Sequence, residues 1–164
     1  MMKISKQEIE QHMERFEEVC RNSGMKLTHQ RMEIFREVAQ TSAHPDAKKV
    51  YQGVCERTPT ISLDTVYRTL WMLKDLGLIT TLGPSRERTC FDANLSHHHH
   101  FVCVRCGLTR DFYSDAFDEL RLPDSVKAFG RVETTQVEIK GVCLKCNAKG
   151  KKPSKLFQEK EVKL

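Results

Sequence analysis

Two pairs of cysteines, Cys103-x-x-Cys106 and Cys143-x-x-Cys146, stand 36 residues apart in a chain of 164. This feature limits the fold more than any other. In each pair the two thiolates project from one tight turn, and the long intervening segment lets the turns meet in space. Two such pairs have the ligand spacing of a closed tetrahedral zinc site, in which the metal staples a domain too small to hold much core. Dithiol redox chemistry at one Cys-x-x-Cys is the alternative, and the presence of two pairs favours metal. Cys20, Cys55 and Cys90 are scattered and read as small buried hydrophobes. An odd total of seven, with no secretion signal at the charged N-terminus, argues against a disulfide framework.

The stretch LSHHHHFVCVRCG, residues 95–107, leads into the first cysteine pair. Its four histidines are internal and run straight into the apolar FVCV, which separates them from a terminal purification tag. A solvated polar loop beside a zinc knuckle is the plainer reading. If the segment is a strand, however, its side chains alternate between faces. His98 and His100 then share one face, and His97 and His99 the other. Asp92 precedes the run and Asp111 follows on the next strand. Paired imidazoles with carboxylates suit ferrous iron, manganese or zinc better than a thiolate cage does. The reading is therefore of two sites, histidines serving one and cysteines the other.

The N-terminal half has helical periodicity. Ser5 and Glu8 form a capping box before Ile9, Met13, Phe16 and Cys20. Thr28 caps a second helix, and Pro45 suits the first turn of a third. Ser62 caps a fourth, with Leu63, Val66, Leu70 and Leu73 inward and Gly77 as its stop. LITTL and RTCFD, on either side of a GPSRE turn, read as a hairpin. Helices followed by a hairpin is the order of a winged helix, whose last helix fits the DNA major groove. Thr65, Tyr67 and Arg68 would be its DNA-facing residues. A plain helical bundle with a hairpin has the same pattern. Net charge does not decide the matter, because residues 147–164 hold six lysines and two glutamates and so carry +4 of the formal +5. That tail reads as a solvated, flexible extension. No apolar run is long enough to span a membrane, and a cytoplasmic location is expected.

The segments LTHQRMEIF, AHPDAKKVY, ISLDTVYRTLWMLKDLGLI, FDANLSHHHHFVCVRCG and EIKGVCLKC, spread over roughly residues 15–146, together resemble the ferric uptake regulator family of metal-dependent repressors. The resemblance implies an α+β fold. A winged-helix domain would occupy residues 1–90, with a hinge near 88–94. A small dimerisation domain stapled by zinc would occupy 95–146, followed by the basic tail, 147–164. It implies a homodimer on a palindromic operator in double-stranded DNA, with no small organic ligand and no enzymatic turnover. It also implies a regulatory ferrous or manganous ion held by His44, Asp92, His98, His100 and Asp111. His44 comes from the resemblance alone, since a histidine before a proline otherwise reads as a loop residue. Iron-uptake members usually carry Glu at the two carboxylate positions, whereas Asp at both matches the peroxide-responsive branch. In that branch bound ferrous iron reacts with hydrogen peroxide, and a ligand histidine, His44 or His98 here, is oxidised. An iron-responsive uptake repressor is the nearest rival, a zinc-responsive one a more distant one. Uptake regulators often hold a further metal on the other strand face; here Thr134 and Thr135 stand where a histidine is common, which leaves His97 and His99 without a partner legible in sequence. A hydrolase centred on His98, His100 and Asp111 would need a positioned general base that the sequence does not offer.

Overall fold

The computed structural model describes residues 4–82 and 89–149, which fall into two compact units divided between Ser96 and His97. In the first unit four helices precede a hairpin: α1 (Lys6–Asn22), α2 (His29–Ala39), α3 (Ala47–Cys55), α4 (Leu63–Asp75), β1 (Thr80–Leu82) and β2 (Cys90–Asp92). The second unit holds β3 (His99–Cys103), β4 (Thr109–Phe112), α5 (Asp115–Asp118), α6 (Asp124–Lys127), β5 (Glu138–Gly141) and α7 (Leu144–Ala148). The fold is α+β, with a winged-helix element order followed by a small sheet. The GPSRE turn and residues 150–164 of the basic tail lie outside the described residues.

Local capping chemistry sets the first unit's helices. Ser5 accepts from the Glu8 amide, and the Glu8 carboxylate accepts from the Ser5 amide, so two orphan donors of α1 are satisfied reciprocally. Thr28, Asp46 and Ser62 cap α2, α3 and α4 through their side chains. The expectation that Pro45 opens α3 is corrected here. Asp46 is the cap, and Pro45 lies outside the helix, where its carbonyl accepts from the Phe91 amide. The apolar faces then close on one core. Phe16 and Phe35 stack at 5.0 Å between centroids, and Ile34, Val50, Leu70 and Leu73 are fully buried around them. Leu63 is only half-buried, and Thr69 takes an inward position on α4. Glu33 is also buried, held by the Arg57 guanidinium at 2.5 Å.

In the second unit β3 lies between its two neighbours, in the order β4-β3-β5. β4 runs antiparallel, pairing His100 with Asp111, and β5 runs parallel, pairing Cys103 with Gly141. A side chain at Gly141 would strike the Phe101 ring 2.7 Å away, so glycine is required for that close pairing. The second cysteine pair does not lie on a free turn. Cys143 is the N-cap of α7 and Cys146 lies within the helix.

Phe16→Ala should lower the first unit's stability by about 3–5 kcal/mol, the usual consequence of emptying a well-packed aromatic site. Urea denaturation followed by circular dichroism would measure it, and a change under about 1 kcal/mol would place Phe16 outside the structural core.

Candidate functional site

The four cysteines of the pairs come together as a cluster in the second unit. Gly107, at φ 71°, ends the Cys103-x-x-Cys106 turn in a backbone conformation that costs other residues energy, and its amide donates to the Cys103 carbonyl. Burial alone would raise the Cys103 thiol, but amides of Cys143, Cys106 and Arg105 turned toward its sulfur outweigh it and bring the pKa to about 6. The Cys143 amide is 3.3 Å away. Cys146, hydrogen-bonded first to Cys106, is pushed up to about 12. Four thiols crowded together do not all ionise readily unless a cation stands among them, and that is what a bound zinc ion supplies. Four soft donors in two knuckles fit zinc.

The strand alternation expected for the histidine run is present. On one side of β3, His98 and His100 are buried with ring centroids 4.5 Å apart, and their Nε2 atoms face each other at 2.9 Å. Asp111, brought opposite His100 by the β3–β4 register, places Oδ1 3.8 Å from His98 Nε2 and 3.6 Å from His100 Nε2. At most one proton can lie between two nitrogens that face each other this way. Two imidazoles and a carboxylate converging under burial are a donor set suited to a divalent cation of borderline hardness.

The first unit contains a second pair of such donors. His44 Nε2 lies 3.3 Å from Asp92 Oδ2, and both residues are buried. The pairing follows from backbone. The Pro45 carbonyl takes the Phe91 amide and Asp46 bridges to Cys90, so the segment after His44 is laid against β2, on which Asp92 stands. Asp92 Oδ1 accepts from the Asn94 amide at 2.8 Å, which orients the carboxylate. His44 has φ 49°, a left-handed conformation unusual for any residue but glycine and unfavourable before proline. Nothing local in the sequence marks it.

His97 and His99 do have a partner, and sequence reading missed it. Asp118 on α5 places Oδ1 2.8 Å from His97 Nδ1 and 3.0 Å from His99 Nε2. The second nitrogen of each ring is also engaged. His97 Nε2 lies 2.7 Å from the Thr135 carbonyl, and His99 Nδ1 accepts from the Val137 amide at 3.3 Å. Thr135 and Val137 therefore meet the histidines through backbone rather than side chains. Phe112 and Phe117 pack on the His99 ring.

On α4 the three residues read as DNA-facing differ in availability. The Arg68 side chain is 82% exposed, with Asp64 3.8 Å away. The Thr65 hydroxyl lies 2.8 Å from that of Ser62, so it also serves the cap. Tyr67 is half-buried against the core. Thr65 and Arg68 line a groove of about 460 Å³ with Arg31, Met25 and Met72. No helix among the described residues is long and apolar enough to cross a membrane.

Winged-helix element order, a four-cysteine cluster and a histidine–carboxylate site define a two-unit metalloregulator. The model of the Ferric uptake regulator family matches residues 22–140, and the chain belongs to that family. It is 34% identical over 131 residues, 79% of its own length and 87% of the relative's, to the peroxide-responsive repressor PerR of Staphylococcus epidermidis. The peroxide stress regulator of Campylobacter jejuni superposes with a TM-score of 0.60 at 28% identity, covering 71% of this chain and 88% of that one. The Helicobacter pylori ferric uptake regulator, described as having three functional metal-binding sites, gives 0.71 over 90% of this chain and 97% of its own. At 21% identity that likeness concerns the fold.

Cys143→Ser should remove the tightly held zinc and, with it, the hydrogen-exchange protection of β3, β4 and β5, since zinc binding in such small domains supplies on the order of 10 kcal/mol of folding energy. Metal analysis with exchange mass spectrometry would show both. A variant that kept one zinc per chain and its protected sheet would rule out the four-cysteine site.

Proposed function

We propose that this chain is a metal-dependent transcriptional repressor that senses hydrogen peroxide. One ion would take His44 and Asp92 from the first unit and His98, His100 and Asp111 from the second. His98, His100 and Asp111 are two imidazoles and a carboxylate, a set that holds ferrous iron with open positions, and His44 and Asp92 would fill two of them; in each half-site carboxylate and imidazole atoms face each other. An ion shared by both units would bias one relative arrangement of them. In a homodimer that arrangement sets the distance between two α4 helices, and so decides whether both reach their half-sites on a palindromic operator. Arg68 would meet the DNA, with Thr65 and Tyr67 beside it. The second unit leaves Phe129 and Leu144 each 89% exposed, apolar surface that a second copy would cover.

The observation that carries the reading is the convergence of His98, His100 and Asp111 on one buried point. Aspartate at both carboxylate positions, and relatives named as peroxide-responsive repressors, favour peroxide over iron as the signal. A bound ferrous ion would lend an electron for O–O cleavage and recover it from the oxidised ring. In sum one hydrogen peroxide and one imidazole would give one oxygenated ring and one water, with His44 and His98 the ligand rings that would be exposed to that chemistry. The altered ring binds metal poorly, and the repressor leaves DNA. The protein is consumed rather than turned over. The His97–His99–Asp118 cluster is the observation on the side of an iron-responsive uptake repressor, where a further metal on that strand face is common.

Anaerobic loading with ferrous iron, a small excess of hydrogen peroxide and peptide mass spectrometry test the proposal directly. One added oxygen on the peptides carrying His44 or His98, together with loss of DNA binding, is expected. Unmodified histidines with DNA binding that simply follows iron occupancy would identify an iron-responsive repressor instead. Asp111→Glu should keep metal-dependent DNA binding and abolish the peroxide response; retained sensitivity in that variant would remove the aspartates from the mechanism.

A further inference from the structure

Arg105 occupies the third position of the first cysteine turn and touches both knuckles. Its amide is among those turned toward the Cys103 sulfur. Its guanidinium Nη1 donates to the Cys146 carbonyl at 2.9 Å, across 41 residues of sequence. Its Nε is buried and has no hydrogen-bond partner among the described residues. A half-buried guanidinium is costly to desolvate unless something nearby benefits from its charge. Four thiolates around a divalent zinc ion leave a net charge of about −2, and Arg105 is the cation set between the two turns that supply them.

We propose that Arg105 guards the zinc site against peroxide. The inference rests on the four-cysteine zinc site and is independent of the peroxide reading of the histidine site. Cys106 is the exposed member of the cluster and Cys146 is half-buried, so attack begins on the Cys106 side. The Cys106 thiolate would attack one peroxide oxygen, forming a sulfenic acid and releasing water after proton uptake. The Cys146 thiolate would then attack that sulfur, forming a disulfide and releasing hydroxide. In total, two thiolates, one hydrogen peroxide and two protons give one disulfide and two waters, and zinc is lost. Arg105 opposes both steps. Its charge draws electron density from the sulfurs and lowers their nucleophilicity, and its hydrogen bond holds the Cys146 backbone so that this thiolate is kept from turning onto an oxidised Cys106.

The test uses the full-length zinc-loaded protein with Arg105→Gln and Arg105→Lys. Zinc release is followed with the chromogenic chelator 4-(2-pyridylazo)resorcinol, with and without excess hydrogen peroxide, and disulfides are mapped by mass spectrometry. Arg105→Gln should release zinc about 10-fold faster than the parent in peroxide, the equivalent of about 1.4 kcal/mol in the barrier to oxidation, and should accumulate the Cys106–Cys146 disulfide. Arg105→Lys, which keeps charge but not the planar fork, should fall between the two. With chelator alone the variants should differ far less. A parent-like rate for Arg105→Gln in peroxide would overturn the proposal. So would an equal acceleration with and without peroxide, because Arg105 would then be only a mechanical brace. Should Arg105→Gln fail to hold zinc through purification, Arg105→Lys carries the same comparison. A parent chain that binds no zinc would overturn the zinc site itself, and this inference with it.

Discussion

The pairing of β3 along both of its edges is the constraint on which the second unit depends. An antiparallel ladder to β4 and a parallel ladder to β5 remove all freedom of register. A slip of one residue would exchange the two faces of the histidine run. His98 and His100 would lose Asp111, and His97 and His99 would lose Asp118. The same ladders carry Cys103 to the level of Gly141, two residues before Cys143, so the strand that sorts the histidines also brings the cysteine pairs together. One five-residue strand thereby positions donors for three clusters.

Those clusters are chemically distinct. The cysteine site is soft, closed and built on one turn and the start of α7, which zinc would lock together. The His98–His100–Asp111 site mixes nitrogen and oxygen, and suits ions that exchange ligands or electrons more readily. On the proposed reading, separating the two by only a few residues along β3 would let one part of the sheet remain a fixed scaffold while the adjacent part responds. The distinction arises from ligand identity, since the backbone is continuous through both.

Much of this was legible before the structure. Ser5, Thr28 and Ser62 announce their helices because capping is local, involving residues three apart. Strand alternation split the histidines correctly because a period of two follows from backbone geometry alone. What escaped depends on contacts distant in sequence. Asp118 stands on a short helix that the sequence does suggest, but nothing local announces its contact with His97 and His99. β5 too reads as a strand, but its parallel pairing with β3 spans a long connection with no turn chemistry to advertise it. Glu33 is buried against Arg57, 24 residues on, a pairing that no local spacing announces. His44 was reached by resemblance alone, because its placement depends on Pro45 and Asp46 pairing with a strand that begins 44 residues later.

As the proposed metal ligand, His44 would set function against stability within a single residue. A left-handed, buried histidine carries a backbone penalty of roughly 1 kcal/mol that glycine would not incur. Selection for heat resistance alone would therefore tend to erase it, and would do so without disturbing the core built on Phe16 and Phe35. On the proposed reading, a variant chosen only for a higher melting temperature would be a sturdier protein that had forgotten how to listen.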